Sequence, residues 1–75
     1  MILIISGPQG SRKTTIAKQI KKLTDCILHD EFPILIPDEY PEWKERLVVI
    51  TTHLPSTDYP DWINNFHYEE LHTQS

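Results

Sequence analysis

Residues 7 to 14, Gly-Pro-Gln-Gly-Ser-Arg-Lys-Thr, have the spacing of a phosphate-cradling turn, G-x-x-x-x-G-K-[ST], with one departure. Arg12 stands where the pattern has its second glycine. In such a turn successive backbone N–H groups curl into an anion nest, and the following helix points its unpaired N–H groups and positive dipole end at the same spot. Lys13 would reach β- and γ-phosphates, and the Thr14 hydroxyl would ligate the Mg²⁺ that bridges them. Gly7, Gly10, Ser11 and Arg12 complete the cradle, and Thr15 offers a further phosphate contact. A side chain at a positive-φ position costs roughly 1 kcal/mol or a little more, which a fold absorbs. Obstruction is the heavier objection, unless the guanidinium swings out or itself clamps a phosphate. If arginine is the obstruction, Arg12→Gly tightens binding at least tenfold, about 1.4 kcal/mol.

The turn needs a strand before it and a helix after it. Met1 to Ile5 is an apolar run of the kind that forms a buried parallel strand. Thr14 to Leu23 reads as a helix whose Ile16, Ile20 and Leu23, with Ala17 beside them, form a stripe for the sheet. A short strand at Asp25 to His29 ends in Asp30 and Glu31; a second apolar run, Ile34 to Ile36, precedes Asp38 and Glu39. Both have the form of an apolar strand followed by acids that hold Mg²⁺ and orient water. The first is preferred, because Pro37 removes a backbone donor just before the second pair. Asp30 is therefore the candidate acid for metal and catalysis, beside Lys13.

Pro41 to Arg46 reads as one helical turn with Trp43 as packing anchor, and Leu47 to Thr52 as a third strand buried on both faces. Thr51, Thr52 or His53 would face the loop from that strand's carboxyl end. Asp58, Tyr59 and Pro60 then open a last helix over Asp61 to Leu71, using Trp62, Ile63, Phe66 and Leu71 to cover the sheet. Neither the four histidines nor the lone Cys26 have a metal-ligand spacing, and no nucleophile elbow is present.

The stretch Ile4-Ile5-Ser6-Gly7-Pro8-Gln9-Gly10-Ser11, with Lys13-Thr14-Thr15, resembles the P-loop NTPases, and more narrowly the small nucleoside- and nucleotide-kinase-like members, many from phage genomes. The resemblance covers residues 1 to 23. It implies ATP or GTP with Mg²⁺ as ligand. A second resemblance is to guanylate-kinase-like scaffold domains, which keep a Gly-Pro opening, carry an arginine near this place and bind protein partners. Those domains have lost the lysine that this chain keeps as Lys13.

At 75 residues only one domain fits, 1–75, truncated relative to a complete P-loop core. The expected architecture is a miniature α/β P-loop-like unit in two or three layers, with a mainly parallel three-stranded sheet over 1 to 5, 26 to 29 and 47 to 52. Five of the seven basic residues precede position 25, and all eleven acids follow from Asp25 on, for a net charge of −4. That balance disfavours direct binding to duplex nucleic acid and suits a protein partner with a basic surface. With so little core, a partner or a second copy of the chain would also help to stabilise the fold. With no membrane segment or leader pattern and a single cysteine, the expected location is cytoplasmic, in the host if the source is a phage. Two functions stay open. One is a nucleotide- or phosphate-binding protein, at best a weak ATPase or kinase-like enzyme. The other is a non-catalytic binding module, such as a phage-type inhibitor of a host defence or nucleic-acid enzyme.

Overall fold

Alternation within the two most apolar runs settles the layers. In β1 (Ile2–Ser6), Ile2 and Ile4 point to one face and Leu3 and Ile5 to the other; in β3 (Val48–Thr52), Val48 and Ile50 take the first face and Val49 the second. These strands pair in parallel with Ile4 opposite Ile50, so both faces of the sheet centre are apolar and both must be covered. The computed structural model describes residues 1–33 and 35–73. Its sheet has four strands, all parallel, in the order β2-β3-β1-β4, where β2 is Ile27–Asp30 and β4 is Tyr68–His72.

One face carries the one α-helix among the described residues, α1 (Lys13–Thr24), which packs Ala17, Ile16 and Ile20 onto Ile5, Val49 and Cys26. Lys21 and Lys22 in its last turn complement the negative dipole end. Leu23, expected on the sheet-facing stripe, is instead 85% exposed, because it lies in the final turn beyond the residues that meet the sheet. The chain leaves α1 through Asp25 in a left-handed cap whose N–H donates to the Lys21 carbonyl. That cap delays β2 by two residues relative to the expected start at Asp25.

The other face is an aromatic layer carried on three short 3₁₀ turns, Tyr40–Lys44, Ser56–Asp58 and Asp61–Asn65. Trp43 is its centre, fully buried, with its ring centroid 5.3 Å from Trp62, 5.6 Å from Tyr40 and 5.9 Å from Phe66. The proline-opened turn around Trp43 is as expected. His29 of β2 bonds Glu39 at 2.7 Å and fixes the loop that delivers this turn. A backbone hydrogen bond first, and His29 next, hold the Glu39 carboxyl below its ordinary range.

Two expectations are corrected. The sheet has four strands rather than three, and the terminal segment forms a 3₁₀ turn followed by β4 rather than one helix from Asp61 to Leu71. The physical reason lies in β1. Ile2, Ile4 and Ile5 are fully buried, so the N–H and C=O groups on both sides of the strand need partners. β3 supplies one side; β4 supplies the other, with Ile2 opposite Tyr68 and Ser6 opposite His72. As an edge strand β4 tolerates Glu69, Glu70 and His72, which hide it from a search for apolar alternation.

Tyr59 is 9% exposed, and its hydroxyl has no hydrogen-bond partner among the described residues. Burial, with the Glu70 carboxylate second, pushes its phenol up to about 12. A folded-state value above the unfolded one stabilises the fold below about pH 10 and loses that contribution as pH rises towards 12. The loss is on the order of 2 kcal/mol. Tyr59→Phe is therefore expected to match the parent in thermal melts near pH 7 and to exceed it in the alkaline range; equal alkaline losses in both proteins would refute the assignment.

Candidate functional site

Consecutive segments leave the two central strands towards opposite faces: the chain after β1 enters α1 on one side, and the chain after β3 enters the aromatic layer on the other. In open parallel sheets such a reversal opens a crevice at the carboxyl ends of the strands. A cleft of about 410 Å³ lies there. The β1–α1 loop contributes Gln9, Gly10, Lys13 and Thr14 to it, the end of β2 contributes Asp30 and Glu31, and the end of β3 contributes Thr51, Thr52 and His53. Lys13, Thr14 and Asp30, proposed from sequence as phosphate and metal residues, thus share one cavity. The expected position of Thr51 to His53 facing the loop is also met.

The loop holds two left-handed residues close together. Gly10 has φ 80° and Arg12 φ 67°, so the arginine adopts the left-handed conformation that the absent glycine would take freely. Its side chain is exposed and does not line the cleft, which answers the obstruction anticipated from the sequence. Among the described residues, no backbone carbonyl accepts from the amides of Gln9 through Thr15. Lys13 Nζ donates to the carbonyls of Gly7 at 2.8 Å and Pro8 at 2.9 Å, neutralising the loop oxygens that would otherwise repel an anion. Thr14 and Thr15 are exposed at the start of the helix, and Ser11 is buried.

Ser11 explains a part of the site that the sequence did not reveal. Its hydroxyl lies 2.6 Å from Thr73 Oγ1, and Thr73 in turn donates its N–H to the Ser6 carbonyl at 2.8 Å. His72 Nδ1 is 2.6 Å from Ser6 Oγ. The carboxyl end of β4 therefore clasps the base of the loop. Ser11 acts as a tether for the cradle through its side chain, and Thr73 and His72 join the site through partners more than 60 positions away in sequence. Gly7, at φ 154°, is where this clasp is tightest: a Cβ there would run into the Thr73 side chain and stand 2.7 Å from its carbonyl oxygen. Gly7→Ala is expected to cost roughly 1–2 kcal/mol by displacing the clasp. An unchanged urea midpoint would contradict the closeness of the two segments.

The opposite wall is carboxylate. Asp30 accepts a hydrogen bond from Thr51 Oγ1 at 2.5 Å, and Glu31 Oε2 pairs with His53 Nδ1 at 2.7 Å. Glu31 holds φ 84°, a conformation costly for a non-glycine residue, and its Oε1 is buried with no hydrogen-bond partner among the described residues. Mg²⁺ is usually held by one or two carboxylates plus the oxygens of a bound phosphate rather than by an all-protein cage. The Asp30 carboxylate and Thr14 hydroxyl fit that role as hard oxygen donors, and no group of three or more His, Cys, Asp or Glu side chains among the described residues forms a cage of its own. The alternative acid pair is not in the cleft; it follows Leu35 and Ile36, which are 80% and 60% exposed, while Ile34 lies outside the described residues.

Comparison with protein-family models, with curated proteins and with solved structures finds no match to this chain. No helix among the described residues is long and apolar enough to cross a membrane.

Proposed function

We propose that this chain is a P-loop-derived protein that binds a nucleoside triphosphate or a related phosphate, with Mg²⁺, in the cleft between the β1–α1 loop and the ends of β2 and β3. The observation that carries the reading is a cavity shared by Gln9, Gly10, Lys13, Thr14 and Asp30, where the amides of the four loop residues have no backbone acceptor among the described residues. Phosphate oxygens would accept from the amides and from Lys13, while Thr14 and Asp30 would hold the cation that separates the phosphates from the acidic wall. The strained Glu31, with an unpaired carboxylate oxygen, supports a role for the far wall in contacting the ligand. The proposal is one of binding: Lys13 Nζ donates to two loop carbonyls and keeps its third N–H for a phosphate oxygen. Titration calorimetry of the full chain with ATP and GTP, each with and without Mg²⁺, tests it: saturable heat that requires Mg²⁺ is expected, and no heat under any condition would reject it.

A second reading, a non-catalytic module for a basic protein partner, is favoured by a different observation. Leu35 and Ile36 stand exposed in the acidic segment that carries Asp38 and Glu39. Under that reading Lys13→Ala leaves partner binding intact and Leu35→Asp abolishes it.

A further inference from the structure

The chain has seven aromatic residues, two Trp, three Tyr and two Phe, and all of them lie in one place. Trp43 and Tyr59 are buried in the layer beneath the sheet, and Phe32, Tyr40, Trp62, Phe66 and Tyr68 pack against it. That is the face opposite α1. The cleft wall is built instead from a glycine, hydroxyls, carboxylates, an amide and the ammonium of Lys13. Its one ring, the imidazole of His53, is engaged through Nδ1 by Glu31.

We infer that the cleft recognises a magnesium-bound polyphosphate and not a nucleobase, so that inorganic triphosphate belongs to its ligand class together with the nucleoside triphosphates. The inference rests on the phosphate-binding reading above and narrows it. Bases are gripped by stacking on aromatic faces and by groups fixed to read their edges. This protein places its stacking surfaces in the opposite layer, two rings buried and five partly buried against them, with the ring centroids of Phe32 and Tyr59 4.9 Å apart and those of Tyr40 and Phe66 5.3 Å apart. The groups that do face the cleft address the two charges of a metal polyphosphate. Loop amides and Lys13 meet the anion, and Asp30 meets the cation. A base attached to such a ligand projects past the loop and adds little to affinity.

The test is calorimetry on the full chain with the magnesium complexes of ATP, GTP, CTP and inorganic triphosphate, with Lys13→Ala as control. Dissociation constants within about threefold of one another, all weakened by the substitution, are expected. A preference of tenfold or more for one nucleotide, or binding of ATP without binding of triphosphate, overturns the inference and leaves the phosphate-binding reading standing. Failure of all four ligands overturns both.

Discussion

Trp43→Ala should lower the urea midpoint of unfolding by at least about 2 M. Trp43 is fully buried and its ring meets His29, Tyr40, Trp62 and Phe66, with centroids between 5.3 and 5.9 Å away. Truncating a buried tryptophan costs about 3–5 kcal/mol, because the transfer energy is lost and the neighbours collapse only in part. A domain of this length has a total stability on the order of 4–11 kcal/mol, so one substitution removes a large share of it. With a urea slope near 1–1.5 kcal/mol/M for so small a protein, the midpoint shift follows directly. Trp43→Phe is the informative control. It keeps a ring in the layer and removes an indole N–H that is buried with no hydrogen-bond partner among the described residues. It should cost well under half as much; a midpoint shift below about 0.5 M for the alanine variant would show that the aromatic layer does not hold the sheet.

Lys13→Ala is expected to weaken magnesium triphosphate binding by roughly 10- to 150-fold, the equivalent of the 1.5–3 kcal/mol carried by hydrogen bonds to a charged group. Lys13 lies outside both apolar clusters, so the thermal midpoint should move by less than about 5 °C. The loss of affinity is then a loss of charge at the cradle and not of fold. Arg12→Gly gives the contrasting result. Relief of the left-handed strain, about 1 kcal/mol, is offset by the 0.5–1 kcal/mol that glycine adds to unfolded-state freedom, leaving stability nearly unchanged. Because the guanidinium is exposed and outside the cleft, affinity should stay within about threefold of the parent. Tenfold tighter binding in the glycine form would reinstate the arginine as an obstruction.

Local signals were the ones legible in the sequence. The β1–α1 loop, α1 and the two central strands lie within short stretches whose apolar spacing and turn chemistry decide their structure, and Asp30 is the last residue of β2. β4 was not legible, since Tyr68-Glu69-Glu70-Leu71-His72 has no apolar alternation and forms a strand to satisfy the second side of β1. The preceding apolar residues, Trp62, Ile63 and Phe66, suggest helical spacing but are used by a 3₁₀ turn that ends at Asn65, after which Phe66 is already extended. The clasp at Ser11 and Thr73 was hidden for the same reason: it exists only once β4 lies beside β1. Arg12 was half legible. The sequence showed the departure from glycine, while the direction of its side chain is a property of the fold.

The central claim, that the amides between β1 and α1 form an anion site opening on the cleft, is tested most directly by amide NMR of the isotope-labelled full chain titrated with magnesium triphosphate. Saturable shifts should appear at the Gly10 to Thr15 amides and at Thr51 and His53, and should be lost in Lys13→Ala. Unmoved loop amides, with weak shifts confined to the exposed lysines Lys18 and Lys22 of α1, would contradict it.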